Sequence, residues 1–168
     1  AHFKQIILPP IEVYKIGDAY FIKDGNHRVS VAREKGQAFI DAYVTEIQTP
    51  GRVDKNTDLK QLVLEQEYTD FLKETKLYQL YPGEDFRFTL PGQYDKILQH
   101  ISVHRWFMGE KLNRPISDEE AVKGWYEEVY EPVVRIINQH QILKRFPNRT
   151  PMDLYLWILE HRWYLAEE

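Results

Sequence analysis

The amino-acid sequence predicts an α+β fold: a small sheet within the first 50 residues and a mostly α-helical remainder packed on it. Three observations carry this expectation. Apolar and polar residues alternate through Ile11–Ile16, and after a Gly-Asp pair the short apolar run Ala19–Ile22 reads as the return strand. From residue 57 onward apolar residues recur near helical spacing, and capping signatures punctuate the chain. The first segment is too short to hold a core comfortably alone, so the helices are expected to cover its sheet.

The elements follow in order. Ile11-Glu12-Val13-Tyr14-Lys15-Ile16 reads as a strand, Gly17-Asp18 as a hairpin-type turn, and Ala19-Tyr20-Phe21-Ile22 as the return strand. Val29 to Lys35 is a short predicted helix closed by Gly36. Phe39 to Ile47 is rich in β-formers and reads as another strand, broken by Thr49-Pro50-Gly51. A soft boundary at 48–57 separates residues 1–50 from 51–168. Asn56 or Thr57 caps a helix running to about Thr75. Tyr81-Pro82-Gly83-Glu84-Asp85 is a loop, and Phe86-Arg87-Phe88-Thr89-Leu90 alternates as a short strand would. Pro91-Gly92 leads into a helix from Tyr94 to Gly109. Ser117-Asp118-Glu119-Glu120 is a capping box, and Pro132 is expected to kink or restart the helix it begins. Thr150-Pro151-Met152-Asp153 places proline at the first position of the last helix.

Composition narrows the function. The 168 residues include no cysteine, which removes disulfides, thiolate metal sites and cysteine nucleophiles and fits a reducing, cytoplasmic setting. No apolar run approaches the ~20 residues of a membrane span, and no signal peptide is visible. The chain opens on Ala1-His2-Phe3 without methionine and reads as a piece of something longer. Net charge is −4; basic against acidic counts are six and six in residues 1–50, seven and nine in 51–100, and nine and eleven in 101–168. No third is basic, which argues against DNA or RNA, whose phosphates demand a basic surface.

The chemistry concentrates in Asp24-Gly25-Asn26-His27-Arg28, five non-apolar residues between an apolar strand and a helix. Such a junction aims free backbone N–H groups and the positive end of a helix dipole at one spot. Gly25 lets the backbone approach a ligand. His27 and Arg28 add charge-assisted donors, Arg28 as a clamp, while Ser30 and Arg33 assist from the helix. Asp24 stands at the rim as a metal-bridging group or general base. The competing reading is a polar turn whose side chains cap the helix and meet water. A phosphate-bearing ligand is the expected partner.

Ile11 to Ile47 resembles the core of the ParB/sulfiredoxin superfamily. The resemblance rests on Pro9-Pro10-Ile11-Glu12-Val13, on Tyr20 through Arg28 with Ala32, and on Gly36 with Ile40-Asp41-Ala42-Tyr43-Val44. It covers about a quarter of the chain. It implies a mixed sheet whose pre-helix turn, Gly25, Asn26, His27 and Arg28, binds the phosphates of a nucleotide such as ATP, ADP or CTP, with Mg²⁺ in the phosphotransfer version. Asn26 stands where sulfiredoxins carry their catalytic cysteine, which excludes sulfinic-acid reduction. Partition proteins carry glutamate and arginine in place of Asn26 and His27. The ADP-dependent free serine kinase branch is nearest at Asp24-Gly25 and Arg28. The strand and helix that precede the proline pair in that family, with the kinase's other acidic residue, have no counterpart before Pro9-Pro10. Phe88 to Gly92, Ile101 to Arg105 and Asp153 to Ile158 are similar to an uncharacterised bacterial family that joins such a core to a helical C-terminal region.

Other constellations read as structural. His100 and His104 share a helix face at a metal-compatible spacing, without the partner glutamate of a zinc protease. Glu127, Glu128 and Glu131 with Arg135 form a charged face in which Glu131 and Arg135 pair. Trp106, Trp125, Trp157, Trp163, Tyr126, Tyr155 and Tyr164 could stack bases, but their helical spacing in an acidic chain assigns them to packing. Arg145-Phe146-Pro147-Asn148-Arg149-Thr150 is a polar basic loop with the capacity to contact phosphate or a partner acid, and reads first as a plain inter-helix loop. The sequence thus points to a nucleotide- or phosphate-ligand-binding domain, acting as a nucleotide-controlled regulator of a protein partner, a homo-oligomer or DNA. A phosphotransferase or nucleotide hydrolase is the alternative, and a scaffold without an active site the third.

Overall fold

The apolar alternation resolves into a hairpin. In this computed structural model, which describes residues 7–48 and 58–165 with side chains through His161, β1 (Ile11–Ile16) pairs antiparallel with β2 (Ala19–Asp24) across the Gly17-Asp18 turn. Helix α1 (Asn26–Glu34) carries the chain over to β3 (Ala42–Glu46), which lies parallel to β1. The sheet is therefore mixed, in the order β2-β1-β3. Near the end of β2 the register slips by one residue between Glu12 and Val13, so Lys23 is an extra residue in the ladder. Such a bulge bends a strand locally, and here it precedes the turn into α1.

α1 closes with a Schellman arrangement. The Gly36 N–H reaches the Arg33 carbonyl at 3.0 Å and the Gln37 N–H reaches Ala32 at 2.9 Å, with Gly36 at φ 66°. Thr49-Pro50-Gly51 and the Asn56 or Thr57 cap lie outside the described residues. Helix α2 (Leu59–Thr75) has the Asp58 carboxylate accepting from the Gln61 N–H at 3.1 Å. Its first turns cover the sheet: Leu59, Leu62 and Val63 pack with Tyr14, Ile16 and Ile47. For this reason the chain divides later than the sequence boundary at 48–57, into one compact unit through Val63 and a second from Leu64.

The second unit is helical: α3 (Leu77–Leu80), α4 (Tyr94–Leu112), α5 (Asp118–Trp125), a π-helical turn (Tyr126–Tyr130), α6 (Glu131–Gln139), a 3₁₀ turn (Ile142–Arg145) and α7 (Pro151–Leu165). Ser117 and Glu120 form the expected capping box. Thr150 and Asp153 cap α7 reciprocally at 2.9 and 3.2 Å. Pro132 restarts the helix as α6, and the turn before it widens to π; proline has no N–H to offer the carbonyl one turn back. The core is aromatic, with Trp125, Tyr130, Tyr155, Phe71 and Phe86 fully buried.

One predicted strand is absent. Phe86 to Leu90 is irregular backbone. Phe86 and Phe88 point into the core, while Arg87 lies over the Tyr68 ring at 4.3 Å. Alternation reported facing here, not ladder pairing. The segment is held by side chains instead: Asp153 takes the Thr89 N–H at 3.1 Å, and buried Glu67 takes the Gly92 N–H at 2.9 Å. Among the described residues no helix is long and apolar enough to cross a membrane.

Candidate functional site

The turn from β2 into α1 is built around Gly25, which has φ 106° and ψ 20°. A Cβ there would fall 2.4 Å from Ile11 Cγ2 and 3.2 Å from Arg28 Nε. Glycine is thus required twice, by the left-handed backbone and by the close seat of Ile11. The sequence reading assigned Gly25 to ligand approach; the structure fills that side with Ile11.

α1 begins at Asn26, three residues earlier than the periodicity indicated. Its first backbone bond runs from the Val29 N–H to the Gly25 carbonyl at 2.9 Å. The N–H groups of Asn26, His27 and Arg28 have no acceptor among the described residues, and no side chain caps them. These orphan amides and the aligned helix dipole make one positive spot beside the turn.

Arg28 is held. Its Nη1 donates to the Pro10 carbonyl at 2.5 Å and to Pro9 at 3.3 Å, and Nη2 donates to Asp24 Oδ2 at 2.6 Å. Of the five guanidinium N–H groups, Nε and one on Nη2 remain. Arg28 is therefore first a brace between the chain entering β1 and the turn. Asp24 is exposed and gives one oxygen to that brace. His27 is exposed and makes no hydrogen bond among the described residues. Ser30 Oγ donates one turn back to the Asn26 carbonyl at 3.1 Å, and Arg33 sits in the last turn of α1, at the far end from the free amides. The structure thus brings together Asp24, Gly25, Asn26, His27 and Arg28 and directs Ser30 into its own helix. Sequence reasoning missed Pro9, Pro10 and Ile11. Their part is tertiary: Pro10 lies 18 residues before Arg28 in sequence, and the proline pair ahead of β1 was the only available signal.

No family model, curated protein or solved structure matches this chain. The site is accordingly read from its own chemistry.

The remaining sequence candidates separate. His100 Nδ1 meets the Tyr155 hydroxyl at 3.1 Å, whereas His104 Nε2 lies 3.4 Å from Glu128 Oε2 without hydrogen-bond alignment. Among the described residues no three His, Asp or Glu side chains converge as a metal-binding set. Glu131 and Arg135 pair at 2.6 Å. Glu127 accepts from the Tyr81 hydroxyl at 2.9 Å; burial first, then this carboxylate, pushes the phenol pKa up. Trp125, Tyr126 and Tyr155 are core, and Trp106 and Trp157 are exposed. The side chains of Trp163 and Tyr164 lie outside the described residues.

Proposed function

We propose that the turn from Asp24 to Arg28 binds the phosphate of a nucleotide or other phosphate-bearing ligand, and that this ParB-like protein acts in the cytoplasm as a regulator rather than a catalyst. One observation carries the reading: three consecutive amides at the start of α1 lack acceptors among the described residues, beside a guanidinium locked in place by Pro9, Pro10 and Asp24. A phosphate oxygen satisfies such amides without reorganising the backbone. Exposed His27 and the remaining Arg28 donors add charge-assisted bonds. Binding is favoured over phosphoryl transfer because Asp24, the carboxylate nearest the turn, is engaged by Arg28. Nucleotide occupancy would then govern association with a protein partner, a second copy or DNA.

The test is a thermal-shift series with ATP, ADP, CTP, GTP and inorganic phosphate, each with and without Mg²⁺. A nucleotide at 100 times its Kd stabilises by about 2.7 kcal/mol. Amide chemical-shift changes are expected at Asn26, His27 and Arg28, and His27→Ala weakens binding. A flat melting temperature across the series, with unmoved amides, rejects the reading.

A further inference from the structure

The second unit contains a cavity of about 590 Å³ between the Phe88–Gln93 segment, the 3₁₀ turn and α7. That volume lies within the range of small-molecule sites. Phe88, Leu154 and Leu156 are buried and form its floor, while Leu90, Phe146 and Trp157 stand about half exposed at its mouth, at 44%, 47% and 53%. Trp157 is held by stacking on His161, with ring centroids 4.5 Å apart.

The polar groups on the lining are almost all engaged. Gln93 Nε2 donates to the Pro91 carbonyl at 3.2 Å. Glu160 pairs with Lys96 at 2.6 Å. Asp153 accepts from the Thr89 N–H, the Thr89 hydroxyl and the Thr150 N–H. Arg149 is the exception. Among the described residues its side chain donates a single hydrogen bond, from Nη1 to Thr89 Oγ1 at 2.9 Å, and no carboxylate lies within ion-pair distance of it. Because the Thr89 proton points to Asp153, its oxygen presents a lone pair to Arg149, and the cation is anchored at the mouth with most of its N–H fork open.

We propose that this cavity binds a small organic monocarboxylate with an apolar body. The body lies on the floor and between the rim aromatics. The carboxylate meets the guanidinium fork, whose geometry suits two parallel hydrogen bonds. A dianion is disfavoured because Asp153 and Glu160 also line the cavity. The site is independent of the phosphate-binding reading, whose residues belong to the first unit.

The test titrates the full chain with decanoate, decanol, decyltrimethylammonium and decyl phosphate, read by calorimetry and tryptophan fluorescence. Decanoate is expected to bind about tenfold more tightly than decanol, the worth of one charge-assisted hydrogen bond, and more tightly than the other two. Arg149→Gln should abolish the preference for decanoate while leaving decanol binding unchanged, and Ile158→Trp, which fills the cavity, should abolish both. Should Arg149→Gln fail to fold, Arg149→Lys keeps the charge, loses the fork, and is expected to narrow the preference. Equal binding of decanoate and decanol by the unaltered chain, absence of decanoate binding, tighter binding of decyl phosphate, or decanoate binding that survives Ile158→Trp in a folded protein overturns the proposal.

Discussion

The Arg28 guanidinium joins Asp24 Oδ2 at 2.6 Å and, 18 residues away in sequence, the Pro10 carbonyl. One side chain therefore ties the start of β1 to the turn that opens α1. The side chain read from sequence as a ligand clamp is, in the structure, a brace within the protein itself.

Arg28→Ala should accordingly destabilise the protein in the absence of nucleotide. It strands the partly buried Pro10 carbonyl, a loss of about 1–3 kcal/mol. Asp24→Asn should cost less than about 1 kcal/mol, because that carboxylate is solvated and its ion pair is screened. Urea denaturation of both variants decides this. Equal costs, or none for Arg28→Ala, would remove the brace.

Gly25→Ala and Gly36→Ala form a matched pair. Both glycines have positive φ, 106° and 66°. A Cβ on Gly36 meets nothing within 4 Å, whereas one on Gly25 overlaps Ile11. Gly36→Ala should cost about 1–2 kcal/mol of backbone strain, and Gly25→Ala should cost more. Placing Gly25→Ala in an Ile11→Ala background should recover only part of the difference, because the Cβ that alanine keeps would still lie 2.8 Å from the new one. A cost for Gly25→Ala no greater than that for Gly36→Ala would show that Ile11 yields freely.

The sequence made β1, the Gly17-Asp18 turn and the caps at Ser117 and Thr150 legible because each is a local decision: facing, a tight turn, a side chain reaching three residues ahead. It misplaced the start of α1 because Gly25 enters the helix from a left-handed conformation with no side-chain cap, leaving no signature. It read Phe86 to Leu90 as a strand because alternation records inward and outward facing and says nothing about a neighbour. At the candidate site the residue types were visible, but their mutual engagement was not. Besides the Asp24 carboxylate, the acceptors of Arg28 are carbonyls that any residue could supply, and only the fold brings Pro9 and Pro10 to it.

Acid should weaken the start of α5. The Arg114 hydrogen bond first, then those from Ser117, hold the Glu120 pKa down at about 2 against its ordinary 4.5. A depressed pKa means that the folded state holds this proton less tightly than the unfolded chain. Its stabilising contribution is complete above pH 4.5 and disappears as pH falls through about 2. Glu120→Gln should remove that part of the acid dependence. Urea midpoints between pH 2 and 6 for the two proteins check it; parallel profiles would show that Glu120 does not contribute to the slope.

The buried Tyr155 hydroxyl should prove costlier to delete than its size indicates. Trp125 Nε1 donates to it at 2.9 Å, and His100 Nδ1 lies 3.1 Å away. Indole nitrogen can only donate, so the hydroxyl accepts from Trp125. With the histidine proton on Nε2, the tautomer expected here, the hydroxyl donates its own proton to His100 Nδ1. Tyr155→Phe keeps the ring and strands the indole N–H in a fully buried place, an expected cost of about 1–3 kcal/mol. Trp125→Phe removes that donor but opens a cavity among the core aromatics. In the double variant the stranded donor is gone, so its cost should be smaller than the sum of the two single costs. Nitrogen NMR of His100 supplies an independent check. An Nδ1–H tautomer would reverse the direction of the bond and leave the Tyr155 proton without His100 as its acceptor.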